Sequence, residues 1–103
     1  MQIDWQKCAN LVPVVVQDSR SNEILMLAYM NEEAFNLSKK TGFAHYFSRS
    51  KGRIWQKGES SGNTQKICEI KIDCDGDSIL LKVEQKGCAC HTGAFSCFFN
   101  EVN

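Results

Sequence analysis

At 103 residues the chain has room for one domain with one modest core, taken as residues 1–103, and for a single site. A hydrophobic share of 43% with one proline excludes a disordered or fibrous segment. Twelve basic and twelve acidic residues cancel, so no global charge draws the chain to nucleic acid or to a membrane surface.

The N-terminal stretch "MQIDWQKCANLVPVVV" lacks the basic start, long apolar centre and small-residue cleavage site of a secretory signal, and no apolar run nears the ~20 residues of a membrane helix. The chain is therefore read as cytoplasmic. In that compartment clustered cysteines serve as metal ligands or catalytic groups more often than as disulfides, so the six cysteines point toward metal.

Leu11 to Gln17, "LVPVVVQ", is rich in β-branched residues and predicts a strand, with Pro13 placing it at the start or the edge of a sheet. "EILMLAYM" predicts a second, buried strand. Asn31 then caps a helix that carries Glu32 and Glu33 in its first turn and runs through "AFNLSKK" to Gly42 as its stop. "FAHYFS" predicts a strand, and "RSKGRIWQKGESSGN" a glycine- and serine-rich loop with a short strand near Ile54 and Trp55. "QKICEIKID" and "SILLKVEQ" alternate apolar and polar residues and predict two strands around the turn "DCDGD". The sum is an α+β domain dominated by strands, with one main helix and its chemistry-bearing residues in the connections.

Three stretches carry that chemistry. "GCACHTGAFSCFF", Gly87 to Phe99, holds three cysteines and one of two histidines. A catalytic zinc keeps three protein ligands and an open fourth position, and Cys74, Cys88, Cys90, Cys97 and His91 are the possible donors. Cys90 and Cys97 flank Thr92 and Gly93, a loop long enough to return to one ion, whereas Cys74 must be brought in by the fold or by another subunit. Neither the paired Cys-x-x-Cys of a zinc ribbon nor the His-x-Glu and Pro-Cys-x-x-Cys of a nucleobase deaminase is present. Cys88 and Cys90 also allow a strained redox pair. The isolated Cys8 and Cys68 read as small buried hydrophobes, and Phe98 and Phe99 as core.

"DCDGD" places Asp73, Asp75 and Asp77 on one turn. A calcium-loop reading fails because its sixth position is Ser78 and a strand pattern follows. The carboxylates either stand apart in solvent or hold a hard cation such as Mg2+, and Cys74, a soft donor between two hard ones, favours two different ions close together. The third stretch runs Arg49, Lys51, Arg53, Lys57 with no acid between them. It is either a solvated loop or a phosphate cradle, with charge from Arg49, Arg53 and Lys57, hydroxyls from Ser48, Ser50, Ser60 and Ser61, and close backbone approach at Gly52, Gly58 and Gly62. Trp55 either stacks on a base or belongs to the core.

Taken together, "LMLAYMNEEAF", "HYFSRSKGRIWQKGESSGNTQ", "DCDGD", "VEQKGCACHTG" and "SCFF" resemble, in order and spacing, the phosphoribosyl-AMP cyclohydrolase family of histidine biosynthesis, over nearly the whole chain. The resemblance implies hydrolysis of the adenine ring of 1-(5-phosphoribosyl)-AMP between N1 and C6 by a zinc-activated water. It implies an intimate homodimer whose zinc is held by Cys74, Cys90 and Cys97 across the two subunits, and magnesium at Asp73, Asp75 and Asp77 assisting phosphate binding. Cys88 matches no ligand position. His91, beside Cys90, is the candidate proton carrier, since imidazoles as a class titrate near neutral pH; the alternatives are that it orients the site or binds phosphate. Ser48, Arg49, Ser50, Arg53, Trp55, Lys57, Ser60 and Ser61 are the candidates for substrate binding. Ala94 and Phe95 stand where the family often carries a basic residue, which shifts phosphate binding toward Arg49, Arg53 and Lys57. The end at Asn103 carries the expectation of the cyclohydrolase step alone.

Overall fold

Val12, Val14, Val16 and Asp18 alternate with less buried neighbours along a seven-residue strand, β1 (Val12–Asp18), which in a computed structural model describing residues 1–103 becomes the inner strand of the main sheet. β2 (Ile24–Met30) lies antiparallel on one side of it, and β6 (Ile79–Gln85) parallel on the other. β5 (Gln65–Ile72) pairs antiparallel with β6 and completes the order β2-β1-β6-β5. Pro13 thus lies within an interior strand and not at a sheet edge. It is tolerated because it falls near the strand start, one residue before the β6 register begins at Val14.

The single helix, α1 (Glu32–Thr41), has the ends the sequence predicts. Asn31 stands in extended backbone and its side chain accepts the Ala34 N–H at 2.8 Å, and Gly42 closes the helix in the left-handed region with φ 81°. Ser38, buried on the inner face, donates to the Ala34 carbonyl and accepts the His45 N–H, so the helix is stitched to the strand that follows. That strand, β3 (His45–Ser48), forms a separate two-stranded hairpin with β4 (Arg53–Gln56). The hairpin is anchored to the main sheet where the Ala44 N–H donates to the Gln65 carbonyl and the Ile67 N–H to Gly42.

One core fills the space between sheet, helix and hairpin: Val12, Val14, Val16, Leu25, Met30, Ala34, Tyr46, Ile79, Leu81 and Val83 are its largest part. Valine and isoleucine at alternate positions of β1 and β6 suit a pleated inner face, and their burial is the main stabilising term. The Tyr46 hydroxyl, inside this core, donates to Gln65, whose amide donates in turn to Gln85, so every buried side-chain polar atom has a partner. A radius of gyration of 13.2 Å matches the ~13 Å of a packed 100-residue globule, as one strand-dominated domain should. No helix is long and apolar enough to cross a membrane.

Two burial expectations are corrected. Phe98 and Phe99 are 63% and 53% exposed, because the chain leaves the core at Ser96. There the Ser96 hydroxyl donates to the Ile24 carbonyl at 2.6 Å and accepts the Phe98 N–H, turning the tail outward. Cys68 is exposed on the outer side of β5, at a register irregularity opposite β6, whereas Cys8 packs against the core.

Candidate active site

The basic stretch folds into the β3–β4 hairpin and the loop after it, and encloses an open groove of about 400 Å³. Ser48, Arg53, Trp55, Lys57, Ser60 and Ser61 line it, as the cradle reading predicts, and Lys51, Gln56, Gly58 and Glu59 join them. Lys51 was legible as part of the same cationic run. Glu59 was not: it sits 3.7 Å from Arg53 and accepts the Gln56 N–H, so it fixes the groove's wall and partly offsets its charge. Trp55 packs on the core, its ring tilted against Tyr46 at 5.4 Å, and its free side borders the groove. Arg49 is not in this wall. Its guanidinium lies 3.9 Å above the Tyr29 ring, a cation–π contact. Ser50 is exposed on the hairpin turn, 3.4 Å from Ser48.

The loop after β6 brings Cys90 and Cys97 together. The N–H groups of Ala89 and Cys90 donate to the carbonyls of Phe95 and Ala94, folding residues 89–95 back on themselves, and the Cys97 N–H donates to Leu25 on β2. The two side chains lie near enough for each thiol to shift the other's ionisation. The Thr92 hydroxyl, 3.1 Å from Cys90 Sγ, holds that thiol below its ordinary value, helped by the Thr92 N–H. Burial, then the neighbouring Cys90, pushes the Cys97 thiol up. Cys90 is therefore the thiol of the pair that ionises first. His91 projects outward beside Cys90.

Within one chain no third His, Cys, Asp or Glu joins these two thiols. Cys74 is exposed on the acidic turn between β5 and β6. All six cysteines are free thiols in this structure, and Cys88 Sγ accepts the Asn63 amide at 3.5 Å. The soft donors thus fit zinc as two ligands of a larger set.

The acidic turn is neither bare nor merely solvated. Asp73 accepts the Ser78 hydroxyl at 2.7 Å and the N–H groups of Asp77 and Ser78, which hold its carboxyl well below the usual carboxylate range. Asp77 pairs with Lys7 at 3.1 Å, and the Asp4 N–H donates to Gly76. Only Asp75 is left without such a partner among the three. Within one chain the three carboxylates do not converge on a single point, so a hard cation there would need the turn to rearrange and the Lys7 ammonium to give way.

A groove carrying Lys51, Arg53 and Lys57, tied through Lys57 to the loop that holds Cys90 and Cys97, gives this small α+β domain a surface suited to an anionic small molecule. Residues 26–99 match the family described as phosphoribosyl-AMP cyclohydrolase, and the chain belongs to that family. It is 59% identical over 92 residues to the phosphoribosyl-AMP cyclohydrolase of Archaeoglobus fulgidus, covering 89% of this chain and 85% of the relative. It is 61% identical over 92 residues to the protein of that name in Rhodospirillum rubrum, covering 89% of this chain and 64% of the relative. Against the histidine biosynthesis bifunctional protein HisIE of Wolinella succinogenes it is 66% identical over 100 residues, 97% of this chain. The chain spans 43% of that bifunctional relative's length.

Proposed function

We propose that this chain opens the adenine ring of 1-(5-phosphoribosyl)-AMP by hydrolysis between N1 and C6, a reading supported by relatives named phosphoribosyl-AMP cyclohydrolase, and that it does so in histidine biosynthesis, which the name of a bifunctional relative carries. The observation that carries the reading is the tie between groove and thiol loop, where Lys57 of the groove wall donates to the Ala89 carbonyl one residue before Cys90, in a chain of this family. Zinc would be held by Cys90 and Cys97 with Cys74 from the second subunit of a homodimer, and there it supplies Lewis acidity toward a water nucleophile at neutral pH. The dimer is supported by the exposed, unpartnered Cys74 and by the exposed Phe98 and Phe99 beside Cys97. Magnesium at Asp73, Asp75 and Asp77 would replace Lys7 and serve the phosphates.

The chain's own residues do the rest. Arg53 and Lys51 attract the substrate's phosphates, and Ser48, Ser60 and Ser61 offer hydroxyl donors along the groove. Trp55, pinned against Tyr46, presents a rigid apolar surface to the base. A ribosyl group on N1 makes the purine cationic and C6 electrophilic, so water adds at C6 and the C6–N1 bond breaks. His91 receives the proton that water loses and returns it to N1 as that nitrogen leaves. A cytoplasmic enzyme working on a small phosphorylated substrate, without nucleic acid or membrane, accords with the zero net charge.

The test is a ring-opening assay of the purified protein with added Zn2+ and Mg2+. Turnover that disappears on strong chelation and returns with zinc is the expected result. No turnover at any metal supplement overturns the activity, and undiminished turnover in a zinc-free preparation overturns the zinc.

A further inference from the structure

Arg53 of the groove pairs with Glu59 inside the same wall, whereas the Lys57 ammonium is committed to a different part of the molecule. Its Nζ donates to the Ala89 carbonyl at 2.6 Å, a contact bridging 32 residues from the hairpin to the thiol loop. Both ends of that bond are fixed. The Lys57 N–H donates to Ala44 at the foot of β3, the side chain is half-buried along the Trp55 ring, and Ala89 is 2% exposed with its own N–H bound to Phe95. Ala89 immediately precedes Cys90, and the other end of the loop is tied to β2 through the Cys97 N–H and the Leu25 carbonyl. The segment has no helix or strand of its own, so these ties to the rest of the fold, with the loop's own Ala89–Phe95 and Cys90–Ala94 hydrogen bonds and the Ser96 bond to Ile24, set where Cys90 and Cys97 stand.

We infer that Lys57 is a positioning residue, its ammonium clamping the Cys90 end of the thiol loop to the wall of the groove and so fixing the distance between phosphate cradle and thiol pair. The inference deepens the proposed function and rests on it. A short charge-assisted hydrogen bond to a buried carbonyl is stronger than a neutral one, and breaking it leaves that carbonyl unpaired. A lysine serving only as a phosphate contact would instead hold its ammonium free in the groove, as a mobile point charge.

The test compares zinc-loaded wild type with Lys57→Met, Lys57→Gln and Lys57→Arg, reading zinc transfer to a chromophoric chelator alongside kcat and KM for phosphoribosyl-AMP. Loss of the clamp in the Met and Gln variants should speed zinc release by about tenfold or more and lower kcat similarly, with KM nearly unchanged. Arg, which can still donate to the Ala89 carbonyl, should restore most of both. Should Lys57→Met not fold, Lys57→Gln carries the comparison. Raised KM with unchanged zinc release and kcat would show a phosphate ligand and overturn the clamp, as would wild-type behaviour of all three variants. Zinc release does not depend on the substrate, so a wild type that binds zinc but opens no ring overturns the proposed activity while the release rates still judge the clamp. A wild type that retains no zinc overturns both.

Discussion

Asp18 and Thr92 show how single side chains set charge in this molecule. Asp18 is buried at the end of β1; burial alone would push its carboxyl up, but the Ser21 N–H and hydroxyl, each at 2.9 Å, and the Gln85 N–H bring it below the ordinary value. Asp73 is lowered too, by Ser78 and Asp77. A folded value below the unfolded one means stabilisation that is present above about pH 4 and is lost as the pH falls toward the folded values. Asp18→Ala should therefore cost about 1–3 kcal/mol at pH 7, and urea titrations at pH 7 and pH 3 should show the gap to wild type narrowing in acid. An equal gap at both values would mean the carboxylate's charge is not what the site uses. Thr92→Val removes the hydroxyl from Cys90, so in metal-free protein the onset of Cys90 alkylation, followed by mass spectrometry across pH, should move to higher pH.

At the scale of elements, the loop from Lys57 to Thr64 is held by close backbone packing more than by side chains. A Cβ on Gly58, φ 85°, would stand 2.6 Å from the Asn63 carbonyl carbon and from the Thr64 nitrogen, while one on Gly62, φ 80°, would meet nothing within 4 Å. Both alanine variants carry the left-handed backbone cost of roughly 1–2 kcal/mol. Gly58→Ala must also push backbone aside, so it should unfold at a clearly lower temperature than Gly62→Ala and bind substrate more weakly. Matching melting temperatures would indicate that the loop gives way easily. The helix is the opposite case: Asn31, Glu32, Glu33 and Gly42 make its ends readable one residue at a time, since capping acts within a turn.

For the whole molecule the open matter is where the third thiol comes from. Cys74 does not meet Cys90 and Cys97 within one chain, which is what a site shared by two subunits requires. Cys74→Ala and Cys97→Ala subunits, each inactive alone, should regain one working site of two in each mixed dimer when combined, because each such dimer retains one intact ligand set while the other lacks two cysteines. Confirmed mixed dimers without recovered turnover would place the site inside a single chain. Zinc content should likewise fall on dilution along with the dimer fraction, measured by metal analysis after rapid gel filtration.

The order of elements, the strand faces, the helix with both caps and the three chemically loaded stretches were determined by the sequence itself. Alternation, capping and turn chemistry all act between residues a few positions apart, so β-branched runs and Asn31 or Gly42 suffice to read them. Tertiary structure alone decided which groups meet. Asp18 reaching Gln85 across 67 residues, Lys57 reaching Ala89 across 32 and Cys97 held on β2 all follow from the order β2-β1-β6-β5 and the seat of the hairpin upon it. That order also put Pro13 inside a sheet, laid Arg49 on Tyr29 and turned Phe98 and Phe99 outward. Local pattern carries no information about such partners, since the energy that selects them comes from burying whole faces of the sheet at once.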